Sequence, residues 1–447
     1  MPQVNISDVI DRSRVTSFQW MTYVLCALCL IMDGYDVQAM GYVAPALTRQ
    51  WNIPPATLGP VLSAALVGVL IGSLFCSTLA DRIGRRPVLI LGSLYFAVLT
   101  LATGAAQSVT EILVIRFFAG IGLGGMMPNA MSLVGEYSPK RIRVAVMMVV
   151  SSGFTAGAMI GGFIAAWLIP AFGWRAVFYF GGSIPLVLGL VMIPLLPESL
   201  QFLALRGKNR DKMLGWLRRI DPSADSSTQY IVREEKKEGI PAIHLFREGR
   251  TPVTLLLWVL NFMNLLNLYF LASWMPTVAA RAGYTTVIAV LLGTSVQVGG
   301  TIGSFGNAWL IEKLGFVGAL APIFAIGSLS IACIGQPGLA VPLLFTAVFI
   351  AGWSVPGGQP GVNALAAIYY PTYLRSTGIG WGLGIGRIGA IVGPIVGGIL
   401  IANKWTPREV FYAAAVPAAI AALTMIALRG FIKRPALAER TAEAVAH

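Results

Sequence analysis

Long apolar runs separated by short polar stretches set the pattern of this chain. Twelve segments have the roughly 20 predominantly apolar residues that a helix needs to cross the hydrocarbon core of a bilayer. They cover approximately 18–46, 56–80, 87–106, 111–136, 144–170, 175–195, 251–279, 286–311, 317–335, 339–368, 377–402 and 408–429. The first follows a polar stretch and lacks a short apolar run ending in a small-x-small cleavage site, so it is expected to be a retained helix. The pattern breaks once. Residues 196–250 hold 19 of the 51 charged residues and no apolar run; "RGKNRDKMLGWLRRIDPSADSS" predicts one short amphipathic helix followed by a loop. The expected organisation is an all-α membrane protein of two six-helix bundles, 18–195 and 251–429. A polar N-terminus (1–17), the linker (196–250) and a tail (430–447) are placed on the cytoplasmic side.

The two halves carry short matches in the same order. "ADRIGRR" after the second span answers "IEKLGFV" after the eighth, aligning Asp81 with Glu312. "SPKRIR" after the fourth answers "YPTYLR" after the tenth, aligning Arg143 with Arg375. "RAVFY" and "REVFY" open the sixth and twelfth. The offsets are 231, 232 and 233 residues. Six crossings return a chain to its starting side, so these are parallel repeats about an axis along the membrane normal.

Composition agrees with a lipid environment: 56% of residues are hydrophobic and 11% charged, with mean hydropathy +0.75. A soluble domain carries about 25% charged residues. The net charge of +13 could mean nucleic acid, but its distribution explains it otherwise. The short segments on the side of the termini hold fourteen Lys and Arg, and those on the other side hold five. This asymmetry predicts both termini inside, as in a multi-pass protein of a bacterial-type cytoplasmic membrane. The four cysteines (Cys26, Cys29, Cys76, Cys333) all lie in apolar spans and imply neither a disulfide framework nor a metal site. "GIGLGG" in the fourth span has no strand before it, so no nucleotide-binding loop, cofactor or enzyme activity is expected.

Four formal charges fall well inside the spans: Asp33, Asp36, Arg116 and Arg387. Each costs about 2.5–3.5 kcal/mol at the membrane centre on insertion scales, so such residues face a cavity or a partner. A purely structural ion pair is the competing reading. Asp33 and Asp36, three residues apart, share a helix face about 5–6 Å apart. Two carboxylates that close disfavour double ionisation, which suits a proton carrier. The two histidines, His244 and His447, lie in the linker and at the last position, so protons crossing the membrane must use these carboxylates. At 1.5 Å per residue, Arg116 and Asp36 lie about 9 and 14 Å below the outer ends of their helices, which allows a reversible pair. Arg387 lies near mid-membrane, where a guanidinium can grip a carboxylate with two parallel bonds. Polar and aromatic side chains at similar depth are candidate substrate contacts: Asn264, Asn267, Tyr269, Trp353, Gln359, Asn363 and Trp381. For the Asn row the alternative of helix–helix glue stays open. Asp81, Gly84, Arg85 and Arg86 form a tight turn expected to meet Glu136 and Arg143 as an inside gate, with Glu312 and Arg375 at the equivalent places in the second half. Charge that merely sets topology is the alternative.

"LADRIGRRP" between the second and third spans resembles the major facilitator superfamily pattern G-x-L-x-D-R-x-G-R-R, with Ser77 in place of the first Gly. "DGYDVQAMGYVAPAL", "RFFAGIGLGGMMPNA", "YFLASWMP" and "YPTYLRSTGIGWGLGIGRIGAIVGP" together resemble its aromatic acid:proton symporters, the transporters of 4-hydroxybenzoate, protocatechuate, benzoate and gentisate type. The resemblance implies the twelve-helix fold and a symporter importing an aromatic carboxylate by alternating access. "GFTAGAMIGG" has Ala158 where the antiporter branches carry Pro, which argues against efflux. "LPESLQFL" leaves a sugar or polyol importer as the runner-up, and a transporter-derived membrane sensor is the alternative of another class.

Overall fold

The computed structural model describes residues 3–206, 210–225, 228–231, 241–247, 249–370 and 372–431. Pro371, most of the C-terminal tail and the side chain of Arg375 lie outside the described residues. A short strand β1 (Gln3–Asn5) and helix α1 (Ile6–Arg12) precede the first long helix, α2 (Ser17–Trp51). Then follow α3 (Leu58–Ile83), α4 (Arg85–Ala105), α5 (Val109–Gly124), α6 (Met126–Tyr137), α7 (Lys140–Phe172) and α8 (Arg175–Leu195). The linker holds α9 (Leu200–Arg206), α10 (Arg210–Leu217), β2 (Gln229–Ile231) and α11 (Pro241–His244). The second half consists of α12 (Thr251–Arg281), α13 (Thr286–Ile334), α14 (Val341–Tyr369), α15 (Thr372–Ala402) and α16 (Pro407–Leu428).

Among the described residues eleven helical stretches are long and apolar enough to cross a membrane. One of them, α13, runs for 49 residues through a non-helical Gly315 (φ 74°, ψ 168°), so it is two spans meeting at a sharp turn. Helices α5 and α6 join at Gly125 into a single span, Val109–Tyr137. These two features reconcile the observed elements with the twelve expected spans. Local chemistry sets the ends: Thr16 and Gln19 close a capping box at the start of α2, and Thr406 and Glu409 do so at α16.

The chain forms two compact units. The first contains Met1–Glu238 together with Ala272–Gln297 and Pro394–Lys404; the second contains Gly239–Leu271, Val298–Gly393 and Trp405–His447. Parts of α12, α13 and α15 thus pack with the N-terminal half. Within the first unit Arg49 donates to Thr286 Oγ1 at 3.1 Å, the Trp274 indole donates to the Pro394 carbonyl at 2.9 Å, and Gly59 lies against Gly398. Within the second, Leu260, Phe324, Val362, Tyr370 and Met425 form a continuous core.

The N-terminal residues form a strap where a bare polar tail was expected. β1 pairs in parallel with β2, with Val4 opposite Tyr230. Ile6 and Ile10, one turn apart on the same face of α1, are fully buried in the core that holds Leu200, Leu203, Met213, Leu217 and Ile220. In the linker α10 is the short helix expected within 206–227, and α9 precedes it. Asp11 then fastens α1 to the α6–α7 corner. It accepts from the Lys140 backbone N–H at 2.8 Å, pairs with Lys140 Nζ at 3.2 Å, and lies 3.7 Å from Arg143. Arg141 donates to the carbonyls of Asp11 and Ser13 at 3.0 and 2.6 Å. Burial raises the Asp11 carboxyl, but the hydrogen bonds and charge of Lys140 and the charge of Arg143 outweigh it and hold it below its ordinary value. A carboxylate depressed in this way contributes stability above its ordinary pKa and loses it only as pH falls through the depressed value. The strap should therefore stay docked throughout the neutral range. Asp11→Asn should release it at pH 7, seen as faster tryptic cleavage after Arg12 and Arg14; equal cleavage rates would show that the isoleucines alone hold it.

Candidate functional site

The first unit carries a buried charge pair. Asp36 of α2 and Arg116 of α5 are 0% and 1% exposed. The guanidinium grips the carboxylate as a fork, Nη1 to Oδ1 at 2.8 Å and Nη2 to Oδ2 at 2.5 Å, and Nη2 also reaches the Asp36 carbonyl at 3.3 Å. Thr100 of α4 donates to Oδ1 at 3.4 Å, and the Phe178 ring lies 5.9 Å from the guanidinium carbon. Asp33, one turn before Asp36, is also buried. The backbone permits this because α2 and α7 touch: a Cβ on Gly34 would lie 1.8 Å from the Phe154 carbonyl oxygen, so only glycine fits between the two aspartates. Tyr35 fixes the rotation of the helix by donating to the Val177 carbonyl at 2.8 Å. One of the two carboxylates is therefore held by a cation and a hydroxyl, on a helix whose packing leaves little freedom.

A second polar cluster lies where the linker leaves α8. Gly84, at φ +104°, turns the chain between α3 and α4, a conformation that L side chains rarely adopt. This exposes the first N–H groups of α4, and Glu198 fills the place: its carboxylate accepts from the N–H of Arg85 at 2.9 Å, of Arg86 at 3.2 Å and of Ser199 at 2.8 Å. A carboxylate at a helix N-terminus is favoured by both hydrogen bonding and the helix dipole. Arg85 pairs with Glu136, which also accepts from the Ser199 hydroxyl, and Arg86 donates to the Ile193 carbonyl. Asp81 is exposed, and its carbonyl accepts from Arg206 at 3.2 Å. Arg143, expected to meet the Asp81–Arg86 turn, instead bonds the Ser138 carbonyl at 3.0 Å and lies 3.7 Å from Asp11, the anion that the strap brings to the α6–α7 corner. In the second unit Glu312 is exposed.

The polar residues of the second unit separate into groups. Asn264 donates to Gln359 Oε1 at 2.7 Å and to the Val355 carbonyl at 3.1 Å; Gln359 in turn donates to Asn261 at 3.0 Å and Asn363 at 3.1 Å. This amide chain ties α12 to α14. Asn267 is fully buried, and neither amide atom finds a partner among the described residues. An unmade pair of hydrogen bonds of this kind costs on the order of 1–3 kcal/mol per group. Tyr269 and Arg387 are half-buried. The Trp353 indole donates to Asn307 at 2.8 Å and covers Gly306 on α13. Trp381 stacks on Trp258 with centroids 5.8 Å apart. The α12–α15 contact gives relative heights: Gly386 meets Leu265, and Gly389 meets Phe262 and Leu266. Arg387 therefore lies level with the Asn261–Asn264 turn.

The Major Facilitator Superfamily profile matches residues 26–341, most of the chain. A 4-hydroxybenzoate transporter, PcaK of Acinetobacter baylyi, is 38% identical over 93% of this chain and 92% of its own length. The chain belongs to the major facilitator superfamily. Its relatives put it in the aromatic acid transporter family of that group: a gallate transporter of Pseudomonas putida is 37% identical over 95% of each chain, and a benzoate transport protein of Acinetobacter baylyi is 32% identical over 95% of this chain and 92% of its own. The superfamily fold is equally clear against solved structures. A D-xylose-proton symporter superposes with TM-score 0.71 at 18% identity, covering 92% of this chain and 97% of that one. A bacterial homologue of the human lysosomal transporter Spinster gives 0.68 at 17% identity, over 94% and 95%.

Three residues at the two polar clusters of the first unit, Glu198, Ser199 and Thr100, carry little signal in the sequence. Glu198 and Ser199 stood out only as part of a motif. The missing signal was a carboxylate able to reach the N-terminus that Gly84-Arg85-Arg86 opens. Thr100 had no signal, because a threonine in an apolar helix ordinarily bonds its own backbone.

Proposed function

We propose that this protein is a proton-coupled symporter that imports aromatic carboxylates by alternating access across a bacterial cytoplasmic membrane. The observation that carries the reading is the Asp36–Arg116 pair, buried inside a membrane-spanning helix with Asp33 one turn away. Proton uptake on Asp36 would release the guanidinium, and loss of the proton would re-form the fork, so occupancy by a proton and the arrangement of α2 against α5 are linked. Asp33 shares the proton load. Arg387 takes the substrate carboxylate; Asn267 and Tyr269 offer polar contacts to ring substituents, and Trp381 an aromatic face. Asn264, Gln359 and Asn363 act through the amide chain that sets the wall between α12 and α14, and Trp353 braces that wall against α13. The Lys and Arg distribution supports both termini and the linker facing the cytoplasm. Arg85, Glu136 and Glu198, with Asp81, Gly84, Arg86 and Arg143, then form the inner gate, and Glu312 and Arg375 its counterpart. The names of the relatives, transporters of 4-hydroxybenzoate, gallate and benzoate, support the substrate class.

The test is uptake into proteoliposomes. Radiolabelled 4-hydroxybenzoate should accumulate saturably with the outside acidic, be displaced by benzoate and gallate but not by xylose, and cease to accumulate when a protonophore collapses the gradient. Accumulation that survives gradient collapse would remove proton coupling; displacement by xylose alone would remove the aromatic acid.

A further inference from the structure

We propose that Thr100 is a positioning residue for proton coupling: it holds the ionised carboxylate of Asp36 in the Arg116 fork and so sets the pH at which Asp36 is protonated. The inference rests on the reading of Asp36 as a proton carrier and adds the group that tunes it.

Thr100 lies on α4 and is completely buried. Most buried threonines on the other long helices turn their hydroxyl back to their own backbone: Thr22 to the Phe18 carbonyl at 3.0 Å, Thr294 to Val290 at 2.9 Å, Thr424 to Ile420 at 2.7 Å; on α12 Thr254 instead reaches the Leu245 carbonyl and Thr277 makes no bond among the described residues. Thr103, one turn further along α4, does the same with Leu99 at 2.9 Å. This back-bond is the ordinary resting place of a helical threonine. Thr100 forgoes it and donates across to Asp36 Oδ1, the oxygen that also accepts from Arg116 Nη1. Its hydroxyl therefore adds a third donor to the Asp36 carboxylate, beside the two Arg116 amino groups, while Arg116 Nε stays buried without a partner among the described residues.

The surroundings leave few other groups to set this equilibrium. Among the described residues Arg116 is the cation in the Asp36 contacts, and Asp33 and Tyr35 are the ionisable neighbours on α2 itself. On α4 the ionisable side chains are Arg85 and Arg86 in the first turn, and Tyr95 five residues before Thr100. On α7 they are confined to the first turn at Lys140, Arg141 and Arg143, and on α8 they are Arg175 and Tyr179. Arg175 is turned to the Ala106 carbonyl and the Trp174 ring, and the Tyr35 hydroxyl to Val177. On α3 and α6 they are Cys76, Asp81 and Arg82, and Glu136 and Tyr137; Glu111 is the remaining one on α5. A hydrogen bond to the charged form of a carboxylate favours that form, and a charge-assisted bond is stronger than the neutral one that could replace it after protonation. Removing the hydroxyl while keeping the side-chain volume should raise the pH at which Asp36 accepts its proton.

The experiment compares the parent with Thr100→Val, Thr100→Ala and Thr100→Ser, as full-length protein in proteoliposomes at fixed internal pH. The initial rate of radiolabelled 4-hydroxybenzoate uptake is followed against external pH, with counterflow of the same substrate at equal pH on both sides. The expected result is a midpoint moved upward by about half a pH unit in Thr100→Val, because a hydroxyl contact of 3.4 Å contributes less than a full charge-assisted hydrogen bond. Thr100→Ser should restore the parent midpoint, and counterflow should stay within about twofold in both variants. A Thr100→Val profile superimposable on a titrating parent overturns the role of Thr100 and leaves proton coupling standing. Loss of counterflow in Thr100→Val without a shifted midpoint in Thr100→Ala also overturns it, since the hydroxyl would then only build the bundle. A parent profile flat with pH would instead remove the proton reading, and the Thr100 role with it.

Discussion

Asp36→Asn should reduce substrate accumulation to background and at the same time destabilise the protein. The two effects have different causes. Asparagine cannot carry the proton, so no gradient can be coupled through this position. It also leaves the Arg116 guanidinium, 1% exposed, without its counter-charge. Removing one partner of a buried ion pair costs about 3–5 kcal/mol, far more than the pair itself contributes over two well-packed neutral residues. The double variant Asp36→Asn/Arg116→Gln separates the causes. It should recover thermal stability, because no unpaired charge remains, and still fail to accumulate substrate. Asp33→Asn should also abolish accumulation. The measurements are Tm of the detergent-solubilised protein and labelled uptake in proteoliposomes. If the double variant recovered accumulation along with stability, the pair would be structural and the protons would travel elsewhere.

Arg387→Lys should weaken substrate binding about ten- to a hundredfold. The charge is kept, but the planar fork that can hold both oxygens of a carboxylate is lost, and a hydrogen bond to a charged group is worth about 1.5–3 kcal/mol. Arg387 sits level with the Asn261–Asn264 turn of α12, inside the second unit and well within its helix. At that depth the strongly hydrated lysine ammonium also loses more water on approach than a guanidinium does. Titration calorimetry with 4-hydroxybenzoate gives the affinity directly. An unchanged value would move carboxylate recognition away from α15 and make Asn267, buried with both amide atoms unbonded, the next residue to test.

What the sequence determined by itself was the architecture and the chemistry carried along single helices. Apolar runs long enough for a bilayer have one way to satisfy their backbone, so twelve helices follow from length and hydropathy alone. The Gly315 turn inside α13 and the joint at Gly125 change how those spans connect and leave their number intact. The spacing of Asp33 and Asp36 puts them on one helix face whatever else packs nearby, so a carboxylate pair in the membrane was legible from the first apolar run alone. The height of Arg116 could be counted, which made Asp36 a candidate partner, though not its only one.

What tertiary structure decided was direction. A helix that is apolar nearly all round does not reveal which side faces its neighbour, and counting residues gives height without azimuth. Thr100 meets Asp36 across 64 positions of sequence, Glu198 meets the Arg85 N–H across 113, and Asp11 meets Lys140 across 129. None of these pairings follows from propensity or periodicity, because each depends on how three or more helices rotate against one another. The amide row of α12 makes the same point. Three asparagines at a spacing of three look alike in sequence, yet packing binds Asn261 and Asn264 into the chain through Gln359 and leaves Asn267 buried without a partner among the described residues. Successive steps of three residues turn 60° short of a full circle, and that rotation alone carries the third amide away from α14.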